Sequence, residues 1–157
     1  MTGGLESIGG EPLEVVLVAS TDHAVIVADP DGVICFWNPA AERMFGHSRE
    51  AALGQTLDII VPEKLRERHW DGYRRVMKTG QTEYGGRTLA VPAMRQDGTR
   101  ISVEFTVALL RDTGGALVGI GAVLRDVTAR WEEQRALNRR MADLERELAS
   151  LRATSGT

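Results

Sequence analysis

The 157-residue chain has little cysteine and no long apolar run, and both shortages narrow its possible functions. A single cysteine, Cys35, excludes an internal disulfide and fits a reducing cytoplasm. The longest apolar runs, 15–19 and 116–124, fall far short of the roughly 20 residues that span a bilayer. The start, MTGGLE, has neither the basic region nor the apolar core of a signal peptide. We therefore expect a cytoplasmic protein with no membrane partner.

The sequence also lacks the marks of a nucleic-acid binder and of an enzyme. Its net charge of −3 argues against a dedicated nucleic-acid binder, which would present a basic face. It contains no Gly-x-Ser-x-Gly, P-loop or HExxH motif. The three histidines, His23, His47 and His69, do not have the spacing of a zinc site. We expect no enzymatic activity and no nucleic-acid partner.

A heptad pattern near the end of the chain is the most informative feature that is present. Apolar residues recur there at spacings of four, three, four and three, with Glu, Arg and Asp between them. These residues are Leu137, Met141, Leu144, Leu148 and Leu151. This a/d repeat is typical of a two-stranded coiled coil and predicts a parallel homodimer that passes a conformational state along its axis. The alternative is a helix packed on its own domain.

The chain divides by composition and pattern into five predicted parts. Residues 1–10 contain four glycines and are expected to form a flexible leader. Residues 11–20 have apolar side chains at helical spacing and predict a short amphipathic helix, which can add to the dimer seam. A compact domain is predicted over 21–128, the coiled-coil signalling helix over 129–153, and a tail over 154–157.

Within the compact domain, strand and helix patterns predict an α+β fold. Strands at 24–28 and 33–37 flank an Asp-Pro-Asp-Gly turn. Asn38 and Ser48 predict the N-caps of two short helices, and Gly46 ends the first of them. A longer helix is expected from Pro62 to about Lys78, followed by strands at 82–92, 101–111 and 117–125. The order predicts a five-stranded antiparallel sheet whose helices cross one face and enclose a small cavity.

The stretch from Asp22 to Thr128 resembles a PAS domain. The resemblance is carried by the strand pair around PDG, the block FWNPAAERMFGHS, Gly54, the RQDGT hairpin and the closing RDVT. It implies a PAS fold and a sensory and dimerisation module of the kind found in two-component systems. Such modules act on histidine kinase, cyclic-dinucleotide, chemotaxis or transcription outputs. No such output is visible in this sequence, so the effector is expected to be fused in the parent protein or to be a separate protein.

The RDVT segment and the residues after it form the predicted relay into the coiled coil. Asp126 can pair with a neighbouring arginine, and Thr128 can cap the helix that follows. Trp131 can brace the start of that helix against the sheet. We expect these three residues to transmit the state of the sensor.

Sensing by a covalent chromophore is not supported by the position of the one cysteine. Light-sensing PAS domains of the flavin-adduct type carry a reactive cysteine in the region that corresponds to 56–62, which here contains none. Cys35 lies on the second strand instead, and we interpret it as a small core residue.

Haem is the cofactor that the remaining residues favour. On a helical wheel of the long helix, Leu65, His69, Gly72 and Val76 share one stripe with Tyr73 at its edge. A neutral imidazole there can offer one ring nitrogen to a metal, and the glycine leaves room for a flat ring.

The run VPEKLRERHWDGYRR also resembles the helix of FixL-type haem-PAS oxygen sensors. The resemblance implies that His69 is the proximal ligand of haem b and that Arg75 pairs with a haem propionate. It also implies that Arg87 is the distal arginine that donates to bound oxygen. Two alternatives stay open: His69 is a hydrogen-bonded core residue, or the pocket holds an unknown small organic ligand or nothing.

Overall fold

The computed structural model describes residues 6–83 and 88–155, and it divides into two compact units at Asp126. The first unit contains strands β1 (Ser7–Ile8) and β2 (Glu11–Pro12), helix α1 (Leu13–Ser20), strands β3 (Ala24–Ala28) and β4 (Ile34–Trp37), and helices α2 (Pro39–Phe45) and α3 (Arg49–Ala52). It continues with two 3-10 turns (Leu57–Ile59 and Glu63–Leu65), helix α4 (Arg66–Thr79), and strands β5 (Leu89–Met94), β6 (Arg100–Arg111) and β7 (Leu117–Asp126). The second unit contains helix α5 (Thr128–Thr154).

The centre of the first unit is a five-stranded antiparallel sheet in the order β4-β3-β7-β6-β5. Ala24 of β3 lies opposite Leu124 of β7, which in turn lies opposite Phe105 of β6. Because opposed residues point to the same face, these three side chains lie on one side of the sheet. The predicted five-stranded antiparallel sheet and α+β class are confirmed.

One face of this sheet carries the core. The alternating residues Ala24, Ile26 and Ala28 of β3 are buried, and Ala24 and Ile26 pack with residues from β4, β5, β6, β7, α2 and α3. Trp37 and Phe45 are the largest fully buried side chains, with ring centroids 5.6 Å apart. Burial of such apolar surface is the main stabilising contribution to a fold of this size.

The buried amide of Asn38 joins three elements around this core. Its Oδ1 accepts from the backbone N of Val25 at 2.8 Å and of Ala41 at 2.9 Å, the second bond being the expected N-cap of α2. Its Nδ2 donates to the carbonyl oxygens of Val18 and His23, each at 3.0 Å. The side chain therefore satisfies its own polar groups and fastens α1 to β3 and α2.

The other predicted helix ends near the core also form. Ser48 accepts from the backbone N of Ala51 at 3.2 Å, and Gly46 ends α2 in the left-handed conformation with φ +79°. Gly80 ends α4 in the same way with φ +65°, close to the expected end of that helix near Lys78. The helix begins at Arg66 rather than at Pro62, since Glu63–Leu65 form a 3-10 turn.

Three predicted boundaries at the start of the chain and before β5 were wrong. Part of the expected flexible leader is a two-stranded hairpin, because Gly9 and Gly10 adopt φ +61° and +89° and let Ser7–Ile8 pair with Glu11–Pro12. The first helix therefore begins at Leu13 rather than at residue 11. Strand β5 begins at Leu89 rather than at Thr82, and it pairs with β6 as far as Met94.

Helix α1 is apolar except at Glu14 and Ser20 rather than clearly amphipathic, and none of its side chains is buried. Val15 is 51% exposed and Leu17 is 66% exposed. A cleft of about 660 Å³ lies between α1 and strands β3 and β4, with Val25 and Val27 on its floor. These valines alternate with the buried residues of β3, so the cleft lies on the opposite face from the core.

No helix in the described parts of the chain combines the length and the apolar character needed to cross a membrane.

Candidate functional site

Helix α4 carries most of the predicted site residues and is fixed at both ends by arginine side chains. At its start, Arg66 donates from Nε to the carbonyl oxygen of Val61 and from Nη2 to that of Asp58, each at 3.2 Å. At its end, Arg111 donates from Nη2 to the carbonyl oxygen of Gly80 at 2.9 Å. A cation at this end also opposes the negative pole of the helix dipole. The helix is thus held in a defined position relative to the turns around it.

His69 is half-buried on this helix, and its Nδ1 atom is buried with no hydrogen-bond partner among the described residues. Burial lowers the pKa of His69, and the nearby Asp58 carboxylate acts in the opposite direction with a smaller effect. The imidazole is therefore neutral at pH 7. A neutral imidazole with an unused ring nitrogen has the chemistry of a metal ligand.

Three aromatic rings of α4 contact one another. The His69 ring lies 4.9 Å from Trp70, edge to face at 74°, and 6.0 Å from Tyr73 between centroids. The Trp70 and Tyr73 rings lie 5.5 Å apart. Neighbouring helix residues usually diverge, so the contact between His69 and Trp70 marks a crowded environment.

Both larger rings of this group also form polar contacts with turns outside the helix. The Tyr73 hydroxyl donates to the carbonyl oxygen of Asp29 at 2.5 Å, and the Trp70 Nε1 donates to Asp58 Oδ1 at 2.8 Å. Burial, with a further effect from the Asp29 carboxylate, raises the pKa of Tyr73, so its hydroxyl stays protonated and available as a donor.

The other residues predicted for a haem site are less closely grouped. Leu65 and Val76 are half-buried, and Gly72 faces open space, because a Cβ added there would meet no atom within 4 Å. Arg75 is exposed and forms an ion pair with Glu83 at 3.5 Å. Arg87 lies outside the described residues.

Neither Trp70 nor Asp58 is among the residues that the sequence predicted for the site. The structure brings both beside His69. The position of Trp70 directly after His69 was the only available signal, because the contact with Asp58 depends on how α4 packs against the preceding turn.

At the predicted relay, Asp126 does pair with an arginine, since its Oδ2 accepts from Arg95 Nη2 at 3.0 Å. The expected cap by Thr128 was wrong: Thr128 is the first helical residue, and the N-cap position belongs to Val127. The side chain of Val127 makes no capping hydrogen bond, because it has no polar group. Trp131 is 45% exposed.

The predicted seam lies on α5, which is one continuous helix of 27 residues. Its five apolar side chains are each at least half exposed: Leu137, Met141, Leu144, Leu148 and Leu151. Exposed leucines at this spacing remain available to a second chain.

Cys35 and the other possible metal ligands add no second site. Cys35 is exposed on β4, so its interpretation as a small core residue was wrong, and its Sγ lies 3.4 Å from the carbonyl oxygen of Val27. Within residues 6–83 and 88–155, no cluster of three or more His, Cys, Asp or Glu side chains has the geometry of a metal site.

Comparison with known proteins identifies one matching family model and several similar sensor proteins. A family model described as the PAS fold matches residues 15–127. The chain is 33% identical over 121 residues to the sensor protein FixL of Bradyrhizobium diazoefficiens, covering 77% of this chain and 24% of that protein. It is 30% identical over 91 residues to the oxygen sensor protein DosP of Escherichia coli, covering 58% of this chain and 11% of that protein. The chain therefore spans a quarter or less of the length of these relatives.

The fold is also similar to a solved structure, the PAS domain of a protein from Colwellia psychrerythraea. The TM-score is 0.65 at 22% identity, and the match covers 74% of this chain and 95% of that chain. At this level of identity the match shows the fold alone.

Proposed function

The chain belongs to the PAS family, and from this premise we propose that it is a haem-based sensor of oxygen or of another haem ligand, with His69 as the iron ligand. The observation that supports the proposal best is the buried and unpartnered Nδ1 of a neutral His69. Similarity to a protein named as an oxygen sensor, DosP, favours the same chemistry.

The residues around His69 fit a flat iron-bearing ring. Gly72 lies one turn after His69 and leaves open space where any other residue would place a Cβ. Val76 on the same helix and Leu65 in the 3-10 turn just before it supply half-buried apolar surface. When bound, haem supplies an iron centre that binds gas molecules reversibly.

Two arginines have proposed roles toward the edges of that ring. Arg75 would exchange its exposed ion pair with Glu83 for a propionate, since exposed pairs contribute little stability and are easily replaced. Arg87 would act as a hydrogen-bond donor on the distal side, as the resemblance to FixL-type haem-PAS domains implies. Tyr73 would support the ring only through packing, because its hydroxyl is committed to Asp29.

Absorption spectroscopy tests this function directly. Protein expressed with adequate haem supply is expected to show a Soret band that shifts when carbon monoxide is added to the ferrous form. His69→Ala should abolish this band, whereas the exposed control His23→Ala should keep it. A colourless wild-type protein after haem reconstitution would refute the proposal.

We also propose that the module works as a parallel homodimer through α5 and relays ligand state to an output. The output would be a histidine kinase or another effector, fused in the parent protein or separate, in the cytoplasm. The chain itself would bind and relay without catalysing a reaction. The exposed seam from Leu137 to Leu151 supports this part of the proposal.

A cofactor-free dimerisation or interaction module, or a binder of a small organic ligand, is the second candidate. The observation that favours it is α1, which is apolar except at Glu14 and Ser20 and has no buried side chain. An isolated helix of eight residues is unstable in water, so further burial against a partner would stabilise it. In this case His69→Ala would change stability only, and the dimer would form without haem.

A further inference from the structure

The indole of Trp70 lies directly over Gly32 in the turn between β3 and β4. A Cβ built on Gly32 would lie 2.2 Å from Cζ3 and 2.3 Å from Cη2 of Trp70. Side chains do not approach this closely, so only glycine leaves a recess for the indole. Gly32 also has φ +78°, which its place in the turn requires. The residue therefore serves both the turn and the contact with α4.

A second contact fixes the other side of the same indole. Trp70 Nε1 donates to Asp58 Oδ1 at 2.8 Å. Asp58 is itself held by Arg66, which donates to its carbonyl oxygen and lies 3.8 Å from Oδ1 through Nε. Trp70 is thus fixed at two points that lie outside its own helix.

The fixed indole presents its ring to His69. Their centroids are 4.9 Å apart at 74°, a favourable edge-to-face arrangement. Tyr73 contacts both rings and donates to Asp29, which belongs to the same turn as Gly32. The orientation of the imidazole therefore depends on aromatic neighbours that are attached to the β3–β4 turn.

We propose that Trp70, seated on Gly32 and bonded to Asp58, is a positioning residue that sets the orientation of the His69 ring. The inference rests on the proposed function of His69 as an iron ligand and deepens it. Groups that orient a ligating histidine from outside the metal site are a general requirement of metal centres. Here the imidazole is oriented by packing against the Trp70 indole, which is seated in the recess at Gly32, rather than by a hydrogen bond.

The chemical reactivity of His69 tests this role in protein that has never been exposed to haem. Diethyl pyrocarbonate modifies neutral imidazoles, and mass spectrometry reports the rate at each histidine, with exposed His23 as the internal reference. Gly32→Ala should displace the indole and raise the rate at His69 several-fold relative to His23. The matched control is Gly98→Ala, because Gly98 has φ +84° and nothing within 4 Å of its added Cβ. It carries the same backbone strain without the contact and should leave the rate unchanged.

A second pair of variants separates positioning from general loosening of the fold. Trp70→Phe removes the outer indole ring and the bond to Asp58, so it should raise the His69 rate by itself. In the Trp70→Phe background, Gly32→Ala should raise the His69 modification rate little further, because the indole atoms that the new methyl group would displace are absent. Trp131→Phe, at the exposed tryptophan of α5, should have no effect. Equal rates in Gly32→Ala and Gly98→Ala, or an undiminished Gly32→Ala effect in the Trp70→Phe background, would overturn the proposal.

Haemin binding provides the functional measurement. Gly32→Ala should weaken haemin affinity about tenfold relative to Gly98→Ala, as expected when an orienting neighbour is disturbed. If wild-type protein binds haemin and both variants bind equally well, the positioning role is refuted. If wild-type protein does not bind haemin, the proposed function fails, and the reactivity measurements still decide whether Trp70 orients His69.

Discussion

Arg95 donates from Nη2 to Asp126 Oδ2 at 3.0 Å, so the turn after β5 is bonded to the last residue of β7. Asp126 is the final residue of the sensor unit, and the helical unit begins at the next position. An ion pair at this boundary can respond to movement of the sheet without being essential to its stability.

We therefore predict that Asp126→Asn changes regulation more than it changes folding. Because both side chains are about one-third exposed, the loss in unfolding free energy should be about 1 kcal/mol or less. In a fusion to a PAS-regulated histidine kinase, the ratio of kinase activity with and without ligand should fall. The control is Glu104→Gln, which removes the partner of Arg125 within the sheet. An equal change in regulation by both variants would contradict a specific relay role for Asp126.

Gly72 gives a prediction in which stability and ligand binding change in opposite directions. In cofactor-free protein, Gly72→Ala should raise the unfolding free energy by about 0.5–1 kcal/mol, because alanine is the better helix former. The added methyl group meets no atom of the described chain within 4 Å, so no steric cost offsets this gain. The same methyl group should weaken haemin binding. Chemical denaturation and a haemin titration on one preparation measure both effects, and tighter haemin binding would argue against a ring lying over Gly72.

The seam of α5 predicts which substitutions separate the dimer. Leu144→Glu places a charge at a d position and should weaken dimerisation by at least about tenfold, which corresponds to 1.4 kcal/mol. Ser150→Glu adds the same charge at a position outside the a/d repeat and should leave the dimer intact. Sedimentation equilibrium across the micromolar range measures both. A wild-type protein that stays monomeric at high micromolar concentration would exclude the seam as an interface.

Much of the fold followed from local patterns, whereas the surroundings of His69 did not. Strand alternation and the caps at Asn38 and Ser48 depend on residues close in sequence, so they could be predicted. The recess at Gly32 depends on how α4 packs against a distant turn, and no local pattern encodes that contact. The ion pair between Arg75 and Glu83 could not be predicted either, because it depends on where the loop after α4 brings the carboxylate.

The lowered pKa of His69 predicts a specific loss of stability in acid. In cofactor-free protein the folded state holds this imidazole neutral below its ordinary pKa of 6.5, because burial disfavours the charged form. Between the lowered pKa and 6.5 the unfolded state binds more protons than the folded state, so the unfolding free energy falls as the pH falls. Urea denaturation at several pH values from 7.5 downward should show this slope beginning near pH 6.5 in wild type and reduced in His69→Gln. The exposed control His23→Gln should keep the wild-type slope. An unchanged slope in His69→Gln would show that the imidazole is solvated in the folded protein, and it would remove the neutral, desolvated histidine on which the haem proposal depends.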